Sequence, residues 1–151
     1  MIRCDRNPLT ECLDILMNAR GMSPSPGQVT IVDDDEAVRD SLRMLLEFHG
    51  LGVVGVASAG EFWASARIHP PDCLILDLHL PDVGGLEILK RLRARGKAPP
   101  VIVITGQGDR ATRDTVIDTG AFAYLEKPFS EERLMAALGD ALNAGRGPTF
   151  P

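Results

Sequence analysis

Four short apolar runs, each followed by a polar or charged residue, constrain the fold of this chain more than any other feature. The runs are 29–32, 73–76, 101–104 and 122–125, followed by Asp33-Asp34, Asp77, Thr105 and Glu126-Lys127. Short apolar runs separated by helical stretches indicate buried parallel strands. In an open α/β sheet, ligands bind beyond the carboxyl ends of the strands. The sequence therefore predicts that acids, a hydroxyl and an ammonium meet at one edge of a sheet.

Helical periodicity fills the intervals between these runs, and residues 53–57 add a further strand. The chain from residue 29 is thus a β-α unit repeated five times. Such alternation, with right-handed crossovers, gives a parallel sheet covered by helices on both faces. Five strands with the first near the centre predict a doubly wound α/β fold, (βα)5, in the flavodoxin-like order 2-1-3-4-5.

Capping and stop signals set the predicted helix boundaries. Ser58 with Glu61 three residues later is a capping-box pattern, and it begins a second helix that runs through residue 68. The fourth helix is expected over 109–119, and Ser130 is expected to cap the fifth. Glycines or prolines are expected to end the first four helices, at Gly50, Pro70, Gly96 and Gly120.

The two ends of the chain are expected to lie outside a single domain at 29–145. Residues 1–28 are predicted to be an N-terminal extension and linker, and 146–151 a disordered tail. Apolar residues at helical spacing make a short amphipathic helix over 8–20 one interpretation of the extension. The other interpretation is that Met22 is the natural start of the chain, and the two are left open.

Composition and charge argue against several classes of protein. The chain has 151 residues, 44% of them hydrophobic, which suits one domain with a core. A formal net charge of −5 argues against a nucleic-acid-binding surface. No run approaches the roughly 18 apolar residues of a membrane span, and Glu11 and Asp14 interrupt the only stretch that resembles a secretory signal. Three cysteines without Cys-x-x-Cys spacing predict reduced thiols in a cytoplasmic protein.

The polar strand ends stand within longer segments that resemble a known family. The segments are 32–36 (VDDDE), 77–85 (DLHLPDVGG), 104–106 (ITG) and 126–129 (EKPF). Each segment alone is weak evidence for the family, because acids after a strand often form a solvated loop. Four of them at these intervals, each at a strand end, are a specific signal. From about 29 to 145 the chain resembles a response-regulator receiver domain of the bacterial two-component family.

The resemblance implies that Asp77 takes a phosphoryl group from a histidine kinase. A carboxylate is a poor nucleophile in water and repels phosphate, so a cation must lie beside it. The implied ligands of Mg²⁺ (or Mn²⁺) are the carboxylates of Asp34 and Asp77, the backbone carbonyl of His79, and Asp33 through water. Oxygen ligands of this kind suit Mg²⁺. Asp35 is a rival acid, which the motif register places at the start of the first helix.

Further residues acquire roles from the same resemblance. Thr105 and Lys127 are implied to bind phosphoryl oxygens, since positioned charge is what chiefly helps this transfer. Pro128 is expected to follow a cis peptide bond. Tyr124 matches the family's switch aromatic, whose ring turns inward when the threonine moves toward the phosphoryl group. A half-buried strand tyrosine without mobility is the alternative.

Two further positions flank the expected pocket mouth. They are His79, two residues after Asp77, and Gln107, two residues after Thr105. In receivers these positions vary and influence hydrolysis of the phosphoryl group, so both are candidate site residues.

The implied function is that of a single-domain response regulator, not an enzyme beyond its own phosphotransfer and autodephosphorylation. The expected partners are a sensor histidine kinase or phosphotransfer protein and an output protein, with no direct nucleic acid and no membrane. Output is expected through the face built from the fourth helix, fifth strand and fifth helix. That face is also a candidate for homodimer formation on phosphorylation.

Two other classes of function compete with this interpretation. A phosphatase of the haloacid-dehalogenase type also phosphorylates an aspartate after a strand, but it needs a second Asp two residues later, where this chain has His79. A degenerate receiver that only binds a partner would have lost Asp77, an acid of the pair, or Lys127. All of these are present. Treatment with acetyl phosphate and Mg²⁺ separates the alternatives.

Overall fold

A computed structural model describes residues 27–145 of the chain. The predictions for the N-terminal helix and most of the linker, and for the tail at 146–151, lie outside these residues. Ten elements alternate strictly between strand and helix. The strands are β1 Gln28–Val32, β2 Gly52–Val56, β3 Cys73–Asp77, β4 Val101–Thr105 and β5 Ala123–Glu126. The helices are α1 Glu36–Phe48, α2 Ala59–Ile68, α3 Gly85–Ala94, α4 Arg110–Thr119 and α5 Glu131–Gly145.

All strand pairs are parallel, and the sheet order is β2-β1-β3-β4-β5. The predicted fold and strand order are therefore confirmed. The central strands β1, β3 and β4 are almost wholly buried, as expected for strands covered on both faces. Two strands are shifted by one residue from their apolar runs: β2 begins and ends one residue earlier, and β5 begins and ends one residue later.

Two apolar layers hold the helices onto the sheet. One face of β1, β3 and β4 packs against α1 and α5 around Ile31, Ile75 and Leu138. The opposite face packs against α2, α3 and α4 around Leu76, Phe62 and Ile88. Burying a large apolar side chain contributes about 1.5–3 kcal/mol, so these two layers hold the helices against the sheet.

The helix starts follow the local capping chemistry. Asp35 accepts hydrogen bonds from the N–H groups of Ala37 and Val38, at 2.9 and 3.3 Å, so its predicted place at the start of α1 is confirmed. Ser58 Oγ accepts from Glu61 N, but the Glu61 carboxylate returns to Ala57 N rather than to Ser58 N. The expected capping box is thus formed one residue wider. The Ser130 cap is confirmed by its bond from Arg133 N, and Asp109 caps α4 in the same way.

The ends of the helices also match the predicted stop signals. Gly120, after α4, has a φ of +114°, a left-handed conformation that favours glycine. Across 27–145, no helix combines the length and apolar character needed to cross a bilayer.

Candidate functional site

Strand register brings the four predicted polar groups together at the carboxyl edge of the sheet. β3 pairs with β4 so that Asp77 is opposite Ile104, and β4 pairs with β5 so that Thr105 is opposite Glu126. Lys127 N donates to the carbonyl of Thr105 at 2.8 Å, which continues the ladder into the loop. The predicted cis bond between Lys127 and Pro128 is present. A cleft of about 440 Å³ is lined by Asp33, Asp34, Asp35, Asp77, His79, Gly106, Gln107 and Lys127.

Asp33 is the most firmly held acid of the cleft. It has no solvent exposure, and its two carboxylate oxygens accept from Asp35 N at 2.9 Å and from Lys127 Nζ at 3.1 Å. Its carbonyl accepts from Arg39 Nη1 at 2.7 Å. A buried carboxylate is costly unless it is paired and hydrogen-bonded, and here both conditions are met. Arg39 was not foreseen from sequence, because it looks like an ordinary surface residue of α1.

Asp77 is nearly as buried but less fully compensated. Its Oδ1 accepts from His79 N at 3.3 Å, and its Oδ2 lies 3.9 Å from Lys127 Nζ. Burial raises the pKa of Asp77, and the negative charge of Asp33 raises it further, while the bond from His79 N and the charge of Lys127 oppose the shift. The ionised Asp77 carboxylate is therefore in an environment that favours the approach of a cation.

The three predicted acids form a cluster whose carboxylate oxygens could hold a metal ion. Oxygens of Asp33, Asp34 and Asp77 lie within 4.8 Å of one another, and Asp34 is exposed at the cleft mouth. An all-oxygen set open to water has the hard-ligand chemistry of Mg²⁺ or Mn²⁺. Because Asp33 already accepts two hydrogen bonds, Asp34 and Asp77 have the greater free capacity for direct ligation.

Gly106 and Gln107, which follow Thr105, form another wall of the cleft. Thr105 is fully buried, and its Oγ1 accepts from Gln107 N at 3.2 Å. The side chains of Gln107 and His79 are both exposed at the cleft mouth. The structure thus places both predicted pocket-mouth residues in the lining of the cleft.

Tyr124 lies at the back of this wall and not in the cleft. Its ring is partly buried and packs against the apolar layer under α2–α4. Its hydroxyl is buried, and within 27–145 it has no hydrogen-bond partner. Burial raises the pKa of Tyr124, with smaller contributions from Glu126 and Asp109 that Arg113 opposes. A buried hydroxyl without a partner is uncommon, since it forgoes about 1–3 kcal/mol of hydrogen bonding.

The loop after β3 contains two structural determinants that sequence reasoning did not single out. Asp82 accepts from Ala59 N and Gly60 N, both at 3.2 Å, which ties the loop to the start of α2. Gly85 packs so closely on the backbone of Asp77 that a Cβ would overlap the Asp77 carbonyl oxygen. The Pro81–Gly85 motif was noticed only as a family segment, and its two glycines were the available signal for this close approach.

The sequence and the fold agree with those of known receivers. A family model described as "Response regulator receiver domain" matches residues 29–139. The chain is 40% identical over 127 residues to the transcriptional regulatory protein FixJ of Azorhizobium caulinodans, covering 82% of this chain and 60% of that protein. It is 37% identical over 123 residues to the response regulator protein TodT of Pseudomonas putida, covering 82% and 54%. The chain therefore spans little more than half the length of these curated relatives.

Solved structures give the same result. A CheY-like response regulator receiver domain protein from Methanospirillum hungatei superimposes with a TM-score of 0.74 at 31% identity, covering 81% of this chain and 98% of that one. A putative response regulator from Chloroflexus aurantiacus gives a TM-score of 0.72 at 32% identity, covering 78% and 98%. The phosphatase alternative has no support from these matches. The chain belongs to the response-regulator receiver domain family of two-component systems.

Proposed function

We propose that Asp77 accepts a phosphoryl group from the phosphohistidine of a sensor kinase or phosphotransfer protein. The observation that carries this proposal is the ammonium of Lys127, which lies 3.1 Å from the Asp33 carboxylate and 3.9 Å from that of Asp77. In the transfer, a carboxylate oxygen of Asp77 bonds to phosphorus while the bond from phosphorus to the donor nitrogen breaks. The Lys127 ammonium and the hydroxyl of Thr105, which is buried at the adjoining end of β4, stabilise charge on the phosphoryl oxygens.

A divalent cation fits the acid side of the same cleft. Asp34 and Asp77 would hold it directly, Asp33 through water, and the His79 carbonyl would complete the protein ligands. When bound, the ion neutralises the acids and stabilises charge on the transferring phosphoryl group. The residues of this chain provide the rest: Asp33 orients Lys127, and His79 N orients the Asp77 carboxylate.

Phosphorylation with acetyl phosphate and Mg²⁺ tests the acceptor. Intact-mass spectrometry should show one added phosphoryl group on the native chain and none on Asp77→Asn. Asp82→Asn serves as a matched control, because Asp82 is an acid of the same loop that faces α2 rather than the cleft. Equal labelling of Asp77→Asn and the native chain would refute the assignment. Absence of any labelling would favour a degenerate receiver.

Metal binding is tested separately from phosphorylation. In NMR titrations with Mg²⁺, amide shifts are expected at Asp34 and Asp77 at millimolar concentration, as suits a site with few protein ligands. Asp34→Ala should abolish these shifts more completely than Asp33→Ala, because Asp33 is already bound to Lys127 and Asp35 N. Unchanged shifts in the native chain with millimolar Mg²⁺ would contradict the site.

We further propose that phosphorylation shifts a pre-existing equilibrium in the 106–127 region and so changes the binding of a partner. Thr105 and Lys127 supply the differential interaction with the phosphoryl group, and Tyr124 supplies packing that can take two arrangements. Two large apolar side chains support an output surface on α4 and β5. Ile117 on α4 is 42% exposed, and Phe122 just before β5 is 40% exposed.

The output surface is proposed to bind a separate output protein or a second copy of the chain. Light scattering with and without acetyl phosphate distinguishes these two occupants. Ile117→Glu should abolish phosphorylation-dependent association, whereas Ile68→Glu, the same change at a more exposed position on α2, should not. Equal loss in both variants would place the association elsewhere.

A further inference from the structure

The space beside Gly108 is where the two proposed switch residues meet. A Cβ built on Gly108 would overlap the Tyr124 hydroxyl, would lie 2.9 Å from Tyr124 Cζ, and would lie 3.1 Å from Thr105 Cγ2. Real Cβ atoms essentially never approach other heavy atoms closer than 3.0 Å. The hydroxyl of Tyr124 and the methyl group of Thr105 therefore converge on one position, which is free only because residue 108 has no side chain.

The reason for glycine at this position is space and not backbone conformation. Within 27–145 the glycines with positive φ are Gly50, Gly96 and Gly120, so Gly108 has a φ that any residue can adopt. Gly106, two residues earlier in the same loop, has nothing within 4 Å of its Cβ position. The contact with Tyr124 is thus specific to position 108 and does not extend along the loop.

The Tyr124 hydroxyl shows that the fit is steric rather than polar. It is buried and has no hydrogen-bond partner within 27–145, so no polar interaction there holds the ring in place. The ring position is determined by the shape of the loop at Gly108 and by the apolar layer beneath it. A shift of the loop that follows Thr105 must consequently alter the space available to the ring.

We infer that Gly108 is a positioning residue for the switch, and that its missing side chain couples Thr105 to Tyr124. This inference rests on the proposed function, in which Thr105 responds to the phosphoryl group. Any side chain at 108 would compete with the Tyr124 hydroxyl for the same volume. Gly108→Ala is therefore expected to displace the ring outward into solvent even in the unphosphorylated protein.

The full chain offers a direct spectroscopic test, because Tyr124 is its single tyrosine. Biosynthetic 3-fluorotyrosine gives one ¹⁹F resonance that reports the ring environment. In Gly108→Ala this resonance should move toward that of free 3-fluorotyrosine, and the phenol pKa should fall toward its ordinary value as the ring becomes hydrated. Gly106→Ala adds the same methyl group to the same loop and should leave both signals unchanged.

A second measurement separates steric conflict from general loop damage. Gly108→Ala should lower Tm in the native background but not in a Tyr124→Ala background, where the space is vacant. If Gly108→Ala fails to fold, the double variant should still fold as Tyr124→Ala does. An equal loss of Tm in both backgrounds, or an unmoved ¹⁹F resonance in Gly108→Ala, would overturn the inference.

The same probe distinguishes failure of this inference from failure of the proposed function. The unphosphorylated comparison of Gly108→Ala with Gly106→Ala needs no phosphoryl group. Adding acetyl phosphate and Mg²⁺ to the native chain should shift the ¹⁹F resonance, and in Gly108→Ala this further shift should be at most half as large. A normal shift in Gly108→Ala would also contradict the coupling. A native chain that is not labelled on Asp77 would contradict the proposed function alone.

Discussion

The acid wall and the loop wall of the cleft are stabilised in different ways. The acid wall, Asp33 and Asp77 with Lys127, is held by charge and directed hydrogen bonds, and both oxygens of Asp33 have partners. The loop wall, meaning the loop after Thr105 with Tyr124 packed behind it, has one such bond, from Gln107 N to Thr105 Oγ1. It is otherwise held by packing, and the Tyr124 hydroxyl has no partner within 27–145. Directed bonds fix one geometry, whereas packing around a gap permits two. In the proposed function, the acid wall would carry out the chemistry and the loop wall the switching.

The largest effect should come from removing the Lys127 ammonium from the acid wall. Lys127→Met leaves Asp33 buried without its partner, and we expect a loss of about 2 kcal/mol in unfolding free energy without metal. Millimolar Mg²⁺ should recover part of that loss, because it would neutralise the same acids. Urea denaturation with EDTA or Mg²⁺ measures both quantities. Lys90→Met, on the exposed face of α3, is the control, and equal losses in the two variants would contradict the comparison.

Thr105→Ala should separate the two walls functionally. We expect the variant to be phosphorylated on Asp77 by acetyl phosphate, since the acids and Lys127 remain. Its hydrogen-exchange response over 106–127 should fall severalfold, because the hydroxyl that distinguishes the two arrangements is absent. Comparison of exchange in phosphorylated and free protein measures this. A full response over 106–127 would show that the loop wall does not depend on Thr105.

The raised pKa of Asp77 predicts a pH-dependent stability difference in metal-free protein. Because the folded-state pKa is above the unfolded value, the folded protein binds more protons in the window between them, and stability is lost as pH rises through the folded pKa. Asp77→Asn removes this loss and should raise Tm by a few degrees at neutral pH. The gain should vanish at pH values below the unfolded pKa of aspartate. Thermal scans from acid to neutral pH in EDTA measure the gain in Tm, with Asp34→Asn as control. A gain in Tm that is the same at every pH would show that the raised pKa of Asp77 is not its cause.

The smallest effect is expected at the unpartnered hydroxyl. Tyr124→Phe removes a buried group that makes no hydrogen bond within 27–145, so the unfolding free energy should stay the same or rise, by up to about 1 kcal/mol. The same substitution would be costly if the hydroxyl were bonded. Urea denaturation measures the change, and a loss above about 1.5 kcal/mol would show that the loop wall also relies on directed bonds.

Local patterns in the sequence predicted the elements, and the residues at the strand ends indicated the acids and the lysine that line the cleft. Apolar runs predicted the strands, and Asp35, Ser58 and Ser130 were correctly expected at the helix starts. The predicted bounds of β2 were one residue too far along the chain, because its apolar run extends past the last residue that pairs with β1. The parallel sheet followed from the alternation of elements, and the strand order from the number of strands with the first near the centre. These features depend on residues close in sequence, or on the general handedness of β-α units.

The energies of the site were decided only by tertiary structure. The bond between Lys127 and Asp33 joins residues 94 positions apart, and the raised pKa of Asp77 depends on how deeply β3 is buried. The approach of Tyr124 to Gly108 is likewise invisible in sequence, where Gly108 resembles any loop glycine. Sequence periodicity specifies which face a side chain occupies, but interatomic distances of about 3 Å follow from packing of the whole sheet. The sequence by itself thus determined which groups line the cleft, and packing determined how each is held.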